Sequence, residues 1–141
     1  MNLYAESSAV LAWLLGDVEG ERVRAALEAA EVVMASQLTL IECSRVLIRA
    51  AVMGRISEAQ AADREALLRR VEAHWTLLGI DSEVIERARR PFPLEPIRTL
   101  DALHLASALV ARSVIPGIAL LSLDDRIRRC ARQLGLELLP V

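Results

Sequence analysis

Short apolar runs alternate along this chain with longer stretches whose apolar residues recur every three to four positions. The runs are Asn2 to Ala5, Val32 to Ala35, Trp75 to Ile80, Ile118 to Leu121 and Glu137 to Leu139. Continuous apolar strands of this length, with helical patterns between them, predict a parallel sheet covered on both faces. The helical stretches are Ser8 to Leu15, Glu19 to Ala30, Leu38 to Met53, Ser57 to about His74, Ser82 to about Arg90, Thr99 to Ala111, and Asp124 or Asp125 to Leu134. Gly16, Gly54 and Gly135 stop three of them, and Pro91 closes the fifth. Ser57 and Gln60 have capping-box spacing, and so do Thr39 and Glu42. The stretch from Thr99 is apolar nearly all round, which places it in the centre of a layered domain. The order predicts a single domain over residues 1–141, a three-layer α/β/α sandwich on a mostly parallel sheet of four or five strands.

Composition narrows the class. At 141 residues, 54% hydrophobic and 26% charged, the chain is neither disordered nor low in complexity. Nineteen acids against 17 bases give a net charge of -2, which argues against a protein that coats nucleic acid non-specifically. Every base is Arg and none is Lys. Aromatics are only 3%, too few for a base-stacking platform. Cys43 and Cys130 belong to no paired motif and read as small buried hydrophobes in a reducing compartment. No apolar run approaches the ~18 residues of a membrane helix. The expected setting is therefore cytoplasmic, with no membrane contact.

Most carboxylates fall on solvated faces. Four fall where a charge is costly. Glu6 follows the first strand and Asp124 the fourth, both at the carboxyl ends of strands, where crevices form in open α/β sheets. Asp101 is the only acid on the most apolar helix, and Glu42 lies on the third. If the chain brings them to one crevice, mutual repulsion calls for a cation or shared protons. Oxygen donors without a Cys or His cage suit Mg²⁺ or Mn²⁺. Such a metal activates water and offsets charge on a phosphodiester. His104, three residues past Asp101, reads either as a donor to that site or, more often for a lone His on such a helix, as a satisfied core residue. No lysine, Gly-rich phosphate loop or GxSxG elbow offers a different chemistry.

Four segments resemble the PIN domain, specifically the VapC-type toxin ribonucleases. Glu6-Ser7-Ser8-Ala9 is similar to the opening Asp-Thr/Ser-Ser-Ala of that family. Ser36 to Glu42 resembles its segment with a helix-borne Glu, Leu100 to Ala106 its Asp-bearing helix, and Ser122 to Arg126 its Thr-x-Asp segment. The resemblance implies a metal-dependent endoribonuclease using Mg²⁺ or Mn²⁺ and a metal-activated water, acting as the toxin of a toxin–antitoxin pair. It implies an acidic quartet of Glu6, Glu42, Asp101 and Asp124, with Asp125 as the fallback if the register slips by one. Ser8 and Ser122 would orient those carboxylates. Arg45, Arg49 and Arg98 are candidate phosphate contacts. An RNA substrate, a VapB-type antitoxin and a homodimer are the expected partners, with the apolar helices at Glu19 to Ala30 and Ser57 to His74 offering a groove. The sequence departs from the family at Glu6, where Asp is usual. One extra methylene moves the carboxylate by roughly 1.5 Å, and the alternative this opens is a catalytically weak or inactive binding or regulatory module.

Overall fold

The computed structural model describes residues Met1–Val141. Five parallel strands form one sheet: β1 (Asn2–Ala5), β2 (Val32–Ser36), β3 (Thr76–Leu78), β4 (Ala119–Leu121) and β5 (Glu137–Leu139), in the order β3-β2-β1-β4-β5. Seven helices connect them: α1 (Ser7–Leu15), α2 (Gly20–Ala29), α3 (Gln37–Val52), α4 (Glu58–Glu72), α5 (Ser82–Ala88), α6 (Thr99–Val114) and α7 (Asp125–Gln133). The expected three-layer α/β/α sandwich is the observed architecture.

The two-residue repeat of the strands sorts the core into layers. Leu3, Ala5, Val33, Ala35, Ala119 and Leu121 face α1 to α4, where they pack with Val10, Val23, Cys43, Leu47 and Leu68. Tyr4, Met34 and Leu120 point the other way, onto Leu105, Ala108 and Ala111 of α6 and Ile127 and Cys130 of α7. Both cysteines are free and buried, as expected of small apolar fillers.

Local chemistry sets the helix starts. Ser57 Oγ accepts from the Gln60 N–H at 3.0 Å and the Gln60 side chain accepts from the Ser57 N–H at 2.9 Å, a complete capping box. The second expected box is absent. Helix α3 begins at Gln37, Ser36 caps it by accepting from the Leu38 N–H at 3.1 Å, and Thr39 turns inward instead. The third apolar run also differs from its expected form. Only Thr76–Leu78 pairs, and as an edge strand it leaves Thr76 and Leu77 exposed rather than buried on both faces. No helix is long and apolar enough to cross a membrane.

The topology positions one crevice. Strand β1 is flanked by β2 on one side and β4 on the other, so connections diverge from its carboxyl end. The register pairs Ala5 with Leu121, which sets Glu6 and Ser122 side by side one residue beyond. The Glu6 N–H donates to the Leu121 carbonyl at 3.0 Å and continues the pairing. Divergent connections at a strand end are where open α/β sheets place ligands.

Candidate active site

Glu6 is the N-cap of α1 and is almost fully buried. One of its oxygens, Oε2, accepts from the Ser8 N–H at 3.2 Å, the Ser8 hydroxyl at 2.5 Å and the Ser122 hydroxyl at 2.8 Å. The serines expected to orient the carboxylates do so here, and both act on Glu6. Burial raises the Glu6 carboxyl above its ordinary pKa, against the opposing pull of His104 and of the two serines.

Glu42 enters from α3. Its Oε1 accepts from the Ser7 hydroxyl at 2.7 Å and lies 2.5 Å from Nε2 of His104, which comes from α6. Ser7 Oγ is itself 3.1 Å from that nitrogen. An ionised carboxylate needs a donor, so Nε2 carries the proton toward Glu42. Burial of Glu42 works against its ionisation, but the hydrogen bonds from His104 and Ser7 and the histidine charge outweigh it. Its carboxyl lies below the usual range. Thr39 completes the knot, donating to the Ala5 carbonyl at 3.4 Å.

Asp101 and Asp124 form the other half. Asp124 Oδ1 caps α7 by accepting from the Ile127 N–H at 2.9 Å, and the Asp124 N–H donates to Ser122 Oγ at 3.2 Å. Asp101 sits in the first turn of α6, and its Oδ2 is buried with no hydrogen-bond partner. Burial and then the charge of Asp124 push its carboxyl up, with Arg98, His104 and Arg126 pulling the other way.

Each acid thus gives at most one oxygen to the scaffold. No hydrogen bond from the chain reaches Glu6 Oε1, Glu42 Oε2, Asp124 Oδ2 or either oxygen of Asp101, and Arg98 Nε stands 3.9 Å from Asp101 Oδ2. Hard oxygen donors and an orphaned buried carboxylate oxygen fit a divalent cation in their chemistry. With Glu6 and Glu42 drawn onto their internal donors, no three acidic, His or Cys side chains stand close enough to enclose an ion by themselves.

The strand-end register falls on Asp124. Asp125 is exposed in the first turn of α7. His104 is a buried member of the site, not merely a core residue. Ser7 and Thr39 were not singled out from the sequence. The Ser7 position is a hydroxyl residue in the resembling Asp-Thr/Ser-Ser-Ala segment, and that is the signal available for it. Arg98 lies 3.9 Å from Asp101. Arg45 lines a surface groove with Glu65, Arg69 and Glu72, and Arg49 one with Leu15, Val46 and Arg55.

This fold and this arrangement of strand-end and helix-borne acids define a class. The PIN domain family matches residues 3–133, and the chain belongs to that family. Among curated proteins it is similar to ribonuclease VapC46 of Mycobacterium tuberculosis, with 32% identity over 97% of this chain and 95% of the relative. Among solved structures it resembles M. tuberculosis VapC20, a toxin that cleaves the sarcin–ricin loop, with TM-score 0.62, 17% identity and coverage of 90% and 93% of the two chains. It also resembles a chain of VapBC2 from Rickettsia felis, solved bound to a promoter DNA fragment, with TM-score 0.64, 10% identity and coverage of 98% and 97%. At those identities the structural likeness speaks for the fold.

Proposed function

We propose that the protein is an endoribonuclease that hydrolyses RNA phosphodiester bonds with a divalent cation, Mg²⁺ or Mn²⁺, and acts as the toxin of a toxin–antitoxin pair. The observation that carries the reading is the Asp101–Asp124 pair at the carboxyl end of a parallel sheet, with a buried Asp101 oxygen that no group of the protein satisfies. The near-full-length similarity to a VapC ribonuclease supports the substrate class.

Asp101 and Glu42 are the proposed principal ligands, Asp124 holds a second ion or a water, and Glu6 contributes through its free oxygen. A cation bound there supplies charge neutralisation for the phosphate and lowers the pKa of water. The chain's own part is orientation. Ser8 and Ser122 fix Glu6, while Ser7 and His104 fix Glu42, so two of the four carboxylates are held in set orientations. In the reaction water's oxygen bonds to phosphorus, the bond from phosphorus to the 3′ oxygen breaks, and that oxygen takes a proton. The ends are a 5′-phosphate and a 3′-hydroxyl. A VapB-type antitoxin is the proposed partner. The groove of about 440 Å³ between α2 and α4, lined by Trp13, Leu27, Leu67, Val71 and Trp75, is its proposed seat. A homodimer belongs to the same proposal.

Cleavage of an end-labelled structured RNA, followed while Mg²⁺ and Mn²⁺ are titrated, tests the reading. The extra methylene of Glu6 favours the ion that tolerates less regular geometry, so Mn²⁺ is expected to support faster cleavage. Chelation should stop the reaction, and Asp101→Asn should abolish it with the circular dichroism spectrum and melting retained. Cation-independent cleavage, or full activity in Asp101→Asn, overturns the site.

A further inference from the structure

The loop before α6 and the outer face of α7 form a cleft of about 290 Å³ lined by Leu94, Glu95, Pro96, Ile97, Arg126 and Arg129. Its one acid, Glu95, pairs with neither arginine. Glu95 Oε2 accepts from the Phe92 N–H at 2.9 Å and Oε1 from the Ile97 N–H at 2.7 Å, which ties the loop to itself. Arg126 and Arg129 lie one turn apart on α7, are exposed, and enter neither an ion pair nor a hydrogen bond. Residues three apart on a helix have Cβ atoms about 5–6 Å apart, so the two guanidinium groups share one face. Arg98 closes the row. It is 75% exposed and touches only Asp101, at 3.9 Å. The charges of Arg98 and Arg126 both reach Asp101, so the row begins at the acidic pair and leads away from it.

Several of the other arginines are spent differently. Arg22 and Arg24 pair with helix acids, Arg64, Arg112 and Arg128 donate to backbone carbonyls, and Arg87 stacks on Phe92. Arg45 shares its groove with Glu65 and Glu72, which lowers the potential an anion would meet there.

We infer that Arg98, Arg126 and Arg129 form a phosphate-binding track through which the RNA strand leaves the acidic site across the α6–α7 rim, and that Arg45 is not on its path. The inference rests on the endoribonuclease reading. A cationic row beside a carboxylate cluster draws the flanking phosphates of a substrate while the acids await a cation. Guanidinium groups suit it because each presents a fork of donors to phosphate oxygens.

The test is binding of a fluorescent single-stranded RNA to the Asp101→Asn protein, across a salt series, with and without Arg126→Ala/Arg129→Ala. Alanine is a strong helix former and both sites are exposed, so the fold is expected to be kept. Loss of two phosphate contacts should weaken binding about tenfold near 100 mM salt and reduce the log–log salt slope by about 1.4. In the otherwise native protein the same pair of substitutions should raise KM and leave kcat nearly unchanged, while Arg45→Ala in α3 leaves both alone. Unchanged affinity and slope in the α7 variant, or a larger loss in the α3 variant, overturns the track while cleavage by the native protein still stands. Absence of metal-dependent cleavage in the native protein overturns the underlying reading instead.

Discussion

Replacing His104 by alanine removes the donor that most closely holds Glu42, and its cost can be worked from the site. The imidazole is 2% exposed and its Nε2 lies 2.5 Å from the Glu42 carboxylate. A hydrogen bond to a charged group is worth about 1.5–3 kcal/mol. Emptying the ring's volume adds roughly 1.5–2 kcal/mol, from ~24 cal/mol per Å³ of cavity. The sum is about 3–5 kcal/mol, or a fall in Tm of roughly 12–20 °C at ~4 °C per kcal/mol for a chain of this size. His104→Gln keeps an N–H donor and should cost about 1 kcal/mol. The pH dependence separates the hydrogen bond from the cavity. The Glu42 pKa is depressed in the fold, so its contribution is present above its unfolded value near 4.5 and is lost as pH falls through the lower folded value. In His104→Ala only the Ser7 hydrogen bond still opposes burial at Glu42, and the depression shrinks. Urea denaturation of both proteins should therefore show the full deficit at pH 7 and a smaller one at acid pH, below the lowered folded value of Glu42. An equal deficit at both pH values would refute the pairing as the source of the stability.

Two further outcomes follow from the same geometry. Burial raises the Glu6 pKa, so its ionised form is a liability, and the protonated state's advantage is lost as pH rises through the raised folded value. Glu6→Gln should be more stable than the native protein by about 1–2 kcal/mol at pH 7, with the gain vanishing below pH 4 in the same urea assay. Gly20 lies against α1, and an added Cβ would stand 2.7 Å from the Ala12 carbonyl oxygen. Gly20→Ala should lower stability by about 1–3 kcal/mol, seen as a lower melting temperature with unchanged cleavage.

The fold was largely legible because each element carries local chemistry that tertiary packing did not override. Ser57 with Gln60, the glycine stops and the strand runs all stand near their expected places. The edge strand misled, since Trp75 to Ile80 is as apolar as a central strand and only the sheet order shows that one side has no neighbour. The site acids stood out because a charge on an apolar helix or at a strand end is costly wherever the chain goes. Ser7 and Thr39 gave no such signal. A buried hydroxyl is cheap once paired, and its partners Glu42 and Ala5 lie 35 and 34 residues away. Thr39 also sat at a spacing that local rules assign to a cap, until Ser36 took that role.

The order in which β1's neighbours are synthesised bears on when the enzyme becomes dangerous. Strand β1 meets β2 early, but its other partner, β4, begins at Ala119, and the residues that complete the crevice, Ser122 and Asp124, follow it. A ribosome that has reached residue 110 holds a chain with Glu6, Glu42 and Asp101 already made. Half of the sheet's centre is still unpaired, and Glu6 lacks its Ser122 donor. The crevice therefore cannot be complete until β4 and the residues that follow it, Ser122 and Asp124, have been made.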